Sequence, residues 1–353
     1  MKIVVVTVYN SHNSGSFLQA YCTMRVLQSM GHDVAFLLRP IEGSSHDRKE
    51  VAKTFFRNLT RLKFRRAFNS WRMWRVYEAL QRPLQIVSVD SDFYKEADCV
   101  VIGSDTLWNF SSNYFSRNAS MYLGDEFVGK RVITYATSAA NTPSERFASV
   151  VERFGGLDNV ATILVRDSHT RQLVADATGR DANVVADPTL IASQEMLDKF
   201  KSVIKCRRPY LLLYFFGKMP QNLQEKIQRY AADNCLEIVS MPSVRQWCNY
   251  SIMSSPQNMI SYFASAAAVV TNTFHGTAFS LIYGKPFAVY DEGKNKVADL
   301  LATYGESDRL FAATSNIDDI LSRENAVVSS GRFDAVRNQS LNSLIAALKN
   351  ETD

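Results

Sequence analysis

No C-x-x-C pair occurs among the five cysteines (Cys22, Cys99, Cys206, Cys235 and Cys248), which lie far apart in the chain. The pattern fits reduced, mostly structural thiols of a cytosolic protein. Long apolar runs are missing too. The opening run, Ile3–Val8, is too short to span a bilayer and poorly built as a signal peptide, so a cytoplasmic chain is expected. No G-x-S-x-G, H-E-x-x-H or G-x-x-x-x-G-K-[ST] is present, which leaves hydrolase, zinc-protease and P-loop readings without support. A G-x-G-x-x-G fingerprint is also absent, so a dinucleotide is not implied. Asp90-Ser91-Asp92 matches the D-x-D of metal-dependent glycosyltransferases, but no His or Glu cluster nearby completes a metal site, and no metal is expected.

What is there is ordinary for a soluble globular enzyme: 46% hydrophobic and 21% charged residues, with a net charge of +5. That mild positive balance permits an anionic substrate. It lacks the sharply basic face of a nucleic-acid binder, so no nucleic acid is expected. At 353 residues the chain exceeds the usual single-core size, and two domains are the default.

Strand, loop and helix alternate from the start. Ile3–Val8 reads as a buried strand, Asn10–Ser16 as a polar loop, Phe17–Met30 as a helix that Gly31 can end, and Asp33–Leu38 as the next strand. Further strand ends run into polar segments: Cys99–Gly103 into Ser104-Asp105-Thr106-Leu107-Trp108-Asn109, Arg131–Tyr135 into Ala136-Thr137-Ser138, and Ala161–Val165 into Arg166-Asp167-Ser168. Asp187-Pro188-Thr189 closes this half. The pattern then restarts with the strand Tyr210–Phe216, the helix Leu223–Asn234 and the strand Leu236–Met241. Two Rossmann-like parallel-sheet domains facing a cleft are expected, over residues 1–190 and 191–353, with ligands at the carboxyl ends of the strands.

The most informative stretch is Thr271-Asn272-Thr273-Phe274-His275-Gly276-Thr277, between an apolar run and a short helix. It puts one of only five histidines at a strand-to-helix junction, where free N–H groups and the helix dipole favour an anion. The alternative is that His275 caps the helix and packs. A second unusual stretch, Arg57–Arg75, holds seven basic and no acidic residues with Phe64, Phe68, Trp71 and Trp74 interleaved. It reads as an amphipathic helix inside an insertion of about 48–82, either touching an anionic membrane surface or lipid-linked substrate, or packing its aromatics on the domain.

These motifs together resemble the polysaccharide pyruvyl transferase family. Asn10 with Gly15-Ser16-Phe17-Leu18-Gln19-Ala20 is similar to the family's opening motif, and Gly103-Ser104-Asp105 with Trp108-Asn109 to its G-S-D-x-x-W-N. Val165-Arg166-Asp167, Asp187-Pro188-Thr189, Phe274-His275-Gly276-Thr277, Lys285-Pro286-Phe287 and Asp308-Arg309 follow in the family's order. Thr106, Asp167 and Thr273 stand where members commonly have Gln, Glu and Arg. The resemblance implies a GT-B-like fold and transfer of the pyruvyl group of phosphoenolpyruvate onto two hydroxyls of a sugar. A cyclic ketal forms and phosphate leaves, without metal or organic cofactor. The acceptor implied is a glycan of a surface polysaccharide or its lipid-linked precursor, met in the cytoplasm or at the inner face of the membrane.

Read onto the residues, His275 is the candidate acid or base, with Thr273, Gly276 and Thr277 around the donor. Arg166 offers a fork for carboxylate or phosphate, or pairs with Asp167 or Asp176 instead. Arg245 is the candidate replacement for the missing Arg. Asp105 is the second catalytic candidate, with Asn10, Gly15, Ser16, Ser104, Trp108 and Asn109 on the acceptor side. The alternative there is that Ser104 and Asp105 cap a helix and Trp108 fills the core. Two rival functions remain: a nucleotide-sugar glycosyltransferase of the same fold, and a non-catalytic glycan-binding or assembly protein.

Overall fold

The computed structural model of the chain describes residues 1–38, 64–204, 206–290, 292–293, 295–312, 314–323 and 331–349. Valine and isoleucine runs bounded by glycine and polar residues form short strands that are buried on both faces, as parallel sheets demand. β1 (Lys2–Val6) shows the pattern: Ile3, Val4, Val5 and Val6 are all fully buried. Around it lie β2 (Asp33–Leu37), β3 (Ile86–Val87), β4 (Cys99–Ile102), β5 (Arg131–Thr134) and β6 (Val160–Thr162), all parallel, in the order β3-β2-β1-β4-β5-β6. A two-stranded sheet of β7 (Leu164–Val165) and β8 (Asn183–Val184) accompanies it.

The second sheet repeats the plan. β9 (Tyr210–Tyr214), β10 (Glu237–Met241), β11 (Tyr250–Ser251), β12 (Ala268–Thr271), β13 (Phe287–Tyr290) and β14 (Leu310–Phe311) are parallel in the order β11-β10-β9-β12-β13-β14. Each order reverses once, between β1 and β4 and between β9 and β12. In open parallel sheets such reversals mark where ligands bind, outside the carboxyl ends of the strands. The chain divides into two compact units. The first holds Met1–Arg166, Thr170–Thr189 and the chain from Ser343 on, and the second Asp167–His169 and Leu190–Asn342. The last helix, Arg332–Lys349, thus gives its final turns to the first unit, where the Arg131 guanidinium donates to the Ala347 carbonyl at 2.5 Å.

The Asp308-Arg309 motif is structural. Arg309 is buried, pairs with Glu306 at 2.7 Å, donates to the Ile320 carbonyl at 2.8 Å and lies over the Phe287 ring.

Of the basic segment, Arg57, Arg61 and Lys63 lie outside the described residues, and the insertion is described only from Phe64. There a helix, Phe64–Gln81, does form. Its anchor is Tyr77, fully buried, whose hydroxyl lies 2.8 Å from that of Ser14 and whose ring packs edge-on against Phe17. Phe68 and Trp71 stay exposed, so these two aromatics do not pack on the domain. Among the described residues no helix is long and apolar enough to cross a membrane.

Candidate functional site

In the first unit the candidates gather at the carboxyl ends of β1, β4 and β7. The Thr7 hydroxyl donates to the Ser104 carbonyl at 2.9 Å, and the Gln19 amide donates to the Thr7 hydroxyl at 3.0 Å and the Ser16 carbonyl at 2.8 Å. Two isolated parallel bridges, Asp105 to Thr137 and Thr137 to Val165, lock the loops after β4 and β5 to each other and to the end of β7. Gly103 permits this approach. It has φ +128°, and a Cβ there would meet the Tyr135 carbonyl oxygen at 2.1 Å. Asp105 takes φ 85°, a backbone state that costs a non-glycine residue on the order of 1–3 kcal/mol. Its carboxylate accepts from the Thr106 N–H at 2.7 Å, so the side chain folds over its own turn. No helix begins at Asp105, and the capping alternative does not apply.

Arg166 is drawn into this frame as a buried group. Its guanidinium donates to Asp187 at 3.0 Å, and the same carboxylate accepts from the Ser104 hydroxyl at 3.2 Å and from the N–H and hydroxyl of Thr189 at 3.0 and 2.8 Å. The side chains of the pair are 2% and 0% exposed. The surface pairing weighed for Arg166 is corrected here: its guanidinium is buried and pairs with Asp187, contributed by the turn after β8. Burial, with the Asp187 charge adding, pushes the nearby Cys22 thiol well up, which keeps it protonated.

Trp108 is also corrected. It is fully buried, donates its indole N–H to the Tyr122 carbonyl at 2.8 Å and packs against Phe147, so it offers no face to a sugar. Asn109 is half-buried in the turn that follows. The loop after β1 ends earlier than expected, because the helix starts at Ser14. Gly15 and Ser16 are buried in its first turn, and their N–H groups donate to the Asn13 side chain at 2.9 and 3.5 Å. Asn13 is the residue missed: it stands two before Gly15 with N-cap spacing, a signal present in the sequence. Asn10 remains in the loop, half-buried, as does His12, whose ring packs on Tyr77 and which burial holds below the usual histidine value.

In the second unit the carboxyl ends of β9, β10 and β12 converge. Helix Phe274–Ile282 starts directly after β12, with Thr273 as N-cap, its hydroxyl accepting from the Gly276 N–H at 2.9 Å. Gly276 lies so close to Thr271 that a Cβ would meet its Oγ1 at 2.1 Å, and Thr277 donates its hydroxyl to the Thr273 carbonyl at 2.9 Å. His275 sits in this first turn, half-buried and edge-on to Phe274 at 5.5 Å.

Asn272, not singled out in the sequence, clamps the two strand exits. It accepts from the Phe216 N–H at 3.0 Å and donates to the Phe216 carbonyl and to Glu292, both at 2.8 Å. Arg245 comes to the same place from the loop after β10. Its guanidinium donates to the Gly217 carbonyl at 3.1 Å and lies 5.5 Å from the Phe215 ring centroid, and burial pulls it below its ordinary value. The structure therefore groups His275, Thr273, Gly276, Thr277 and Arg245 at one strand-order reversal. It groups Asp105, Ser104, Arg166 and the Asn10 loop at the other, within the other unit. Among the described residues no group of His, Cys, Asp and Glu has the make-up of a metal site, and Ser91 of the D-x-D triplet caps a short helix.

The sequence profile of polysaccharide pyruvyl transferase matches residues 13–293. No curated protein sequence matches the chain. Among solved structures, the UDP-GlcNAc 2-epimerase of Neisseria meningitidis bound to UDP-GlcNAc aligns at TM-score 0.55 and 9% identity, over 99% of this chain and 100% of that one. The UDP-GlcNAc 2-epimerase of Methanocaldococcus jannaschii in complex with UDP-GlcNAc and UDP aligns at 0.53 and 12%, over 100% of both chains. At these identities the likeness concerns the fold, which is GT-B-like.

The Arg166–Asp187 pair predicts a large stability effect. Asp187→Ala strands a buried guanidinium and is expected to cost about 3–5 kcal/mol, read by urea unfolding. An Asp187→Ala protein with an unchanged unfolding midpoint would show that the frame does not depend on this pair.

Proposed function

Because this chain belongs to the polysaccharide pyruvyl transferase family, we propose that it transfers the pyruvyl group of phosphoenolpyruvate to two hydroxyls of one glycan sugar. The observation that carries this reading is the half-buried His275 in the first turn of the helix after β12, at the strand-order reversal of the second sheet. The positive end of a helix favours the doubly anionic donor, and Arg245, held at the exit of β9, is assigned as its cation.

A proton delivered to the methylene carbon turns the enol ester into an oxocarbenium-like centre, which the first hydroxyl attacks. Phosphate then leaves, and the second hydroxyl closes the ketal. The two hydroxyl protons end on the new methyl group and on phosphate, so the reaction balances without oxidant or metal. His275 is assigned the proton transfer at the donor, and Thr273, Gly276, Thr277 and Arg245 the donor's binding. Asp105, at the other reversal, is assigned to the acceptor hydroxyls, with Ser104, Asn109 and the Asn10 loop around it. Arg166 acts by holding that loop frame through Asp187.

The test is phosphate release from phosphoenolpyruvate against galactosyl, mannosyl and N-acetylhexosaminyl acceptors, with UDP-sugars as the competing donor. His275→Gln is expected to lower turnover by roughly 10²–10⁴-fold, the usual weight of a positioned acid or base. Release of UDP from a nucleotide sugar, with no phosphate from phosphoenolpyruvate, would replace this reading with a glycosyltransferase.

We further propose that the helix Phe64–Gln81 brings the enzyme to an anionic membrane surface, where a lipid-linked acceptor would be met. Phe68 and Trp71 are 57% and 38% exposed, and the Arg75 guanidinium lies 5.1 Å from the Trp71 ring centroid. Aromatic and basic side chains sharing an exposed helix face are suited to the headgroup region. Arg72→Glu with Arg75→Glu is expected to abolish co-sedimentation with phosphatidylglycerol vesicles while sparing transfer to soluble acceptors. Vesicle binding that survives both charge reversals would contradict the assignment.

A further inference from the structure

The first unit carries a basic hollow, built from elements the proposed reaction does not use. Helix Ser144–Arg153 places Arg146, Ser149, Val150 and Arg153 at i, i+3, i+4 and i+7, one stripe of its surface. The neighbouring stripe fixes the helix's rotation, since Phe147 is fully buried against Trp108 and Phe110 at 5.9 and 5.7 Å. Ser116 and Arg117, at the end of helix Asn113–Arg117, form the facing wall, and Phe154 completes a hollow of about 370 Å³.

Three arginines line this hollow, and among the described residues none has a carboxylate partner. Arg146 is steadied by donating from Nε to the Phe110 carbonyl at 3.3 Å, and Arg153 by lying 5.2 Å from the Phe154 ring centroid. Guanidinium groups left unpaired in a concave site are natural forks for carboxylate. Seven residues of helix separate Arg146 from Arg153, a rise of roughly 10 Å along the axis, so the basic stripe is elongated rather than a single point. That spacing suits charges on successive sugars of a chain. Two serine hydroxyls can meet sugar hydroxyls, while Val150 and Phe154 give the apolar contact that a sugar's C–H face needs. The volume lies within the range of about 300–1,000 Å³ usual for small-ligand sites.

We propose that this hollow binds a segment of carboxylate-bearing glycan, separately from the site of transfer. It would hold an anionic polysaccharide chain on the enzyme and needs nothing from His275. The test is calorimetric titration of the full chain with hexagalacturonate, a neutral galactose oligomer of equal length, and inorganic phosphate. Hexagalacturonate is expected to bind, and Arg117→Gln with Arg153→Gln to weaken it at least tenfold at an unchanged melting temperature. His275→Gln is expected to leave this binding intact even if transfer is lost, so the failure of one proposal does not mask the other. No binding of hexagalacturonate, equal binding of the neutral oligomer, full displacement by equimolar phosphate, or an unweakened double variant would each overturn the proposal.

Discussion

Both sheets reverse their strand order once, and the polar chemistry of the chain sits at those reversals. Where β1 meets β4, and where β9 meets β12, the two outgoing connections run to opposite faces of the sheet, because parallel crossovers are right-handed. The strand ends are left uncovered by any crossover, and exposed backbone there must find partners or a ligand. The first sheet meets this demand with the Thr7 hydroxyl on the Ser104 carbonyl, and the second with Asn272 on Phe216, Thr273 on Gly276 and Arg245 on Gly217.

Side chains at the two reversals are held by different means. After β4 the chain is fixed by buried charge. Asp187 takes hydrogen bonds from Ser104, Arg166 and Thr189, and the bridges through Thr137 align the neighbouring loops. After β12 it is fixed by close approach. Gly276 is pressed against Thr271, and the Thr273 cap orients the first turn that bears His275. The turn that carries the imidazole is thus set by the backbone and hydroxyl groups around it.

The sheets were readable because buried parallel strands are written as unbroken apolar runs, such as Ile3–Val6 and Val269–Val270 ahead of the His275 block. The position of His275 at a helix start followed from the same reading. What escaped depends on residues distant in sequence. Nothing local indicates that Arg166 pairs with Asp187, since that needs β7 to lie against β8. Trp108 reads equally as platform or core, and only the packing of Phe147 and the Tyr122 carbonyl decides. Asn13 is legible only by its N-cap spacing, being one of two asparagines in the same loop. Asn272 was hidden because its partner, Phe216, belongs to another strand's end.

The central claim is that the carbon skeleton of phosphoenolpyruvate ends on a sugar as a ketal. Phosphoenolpyruvate labelled with ¹³C at its second carbon, incubated with the protein and a glycan acceptor, tests it directly by carbon NMR of the purified glycan. The account predicts a labelled quaternary ketal carbon on the sugar, with one phosphate released for each. Label found only in phosphoenolpyruvate or free pyruvate, across all acceptors tried, would contradict it.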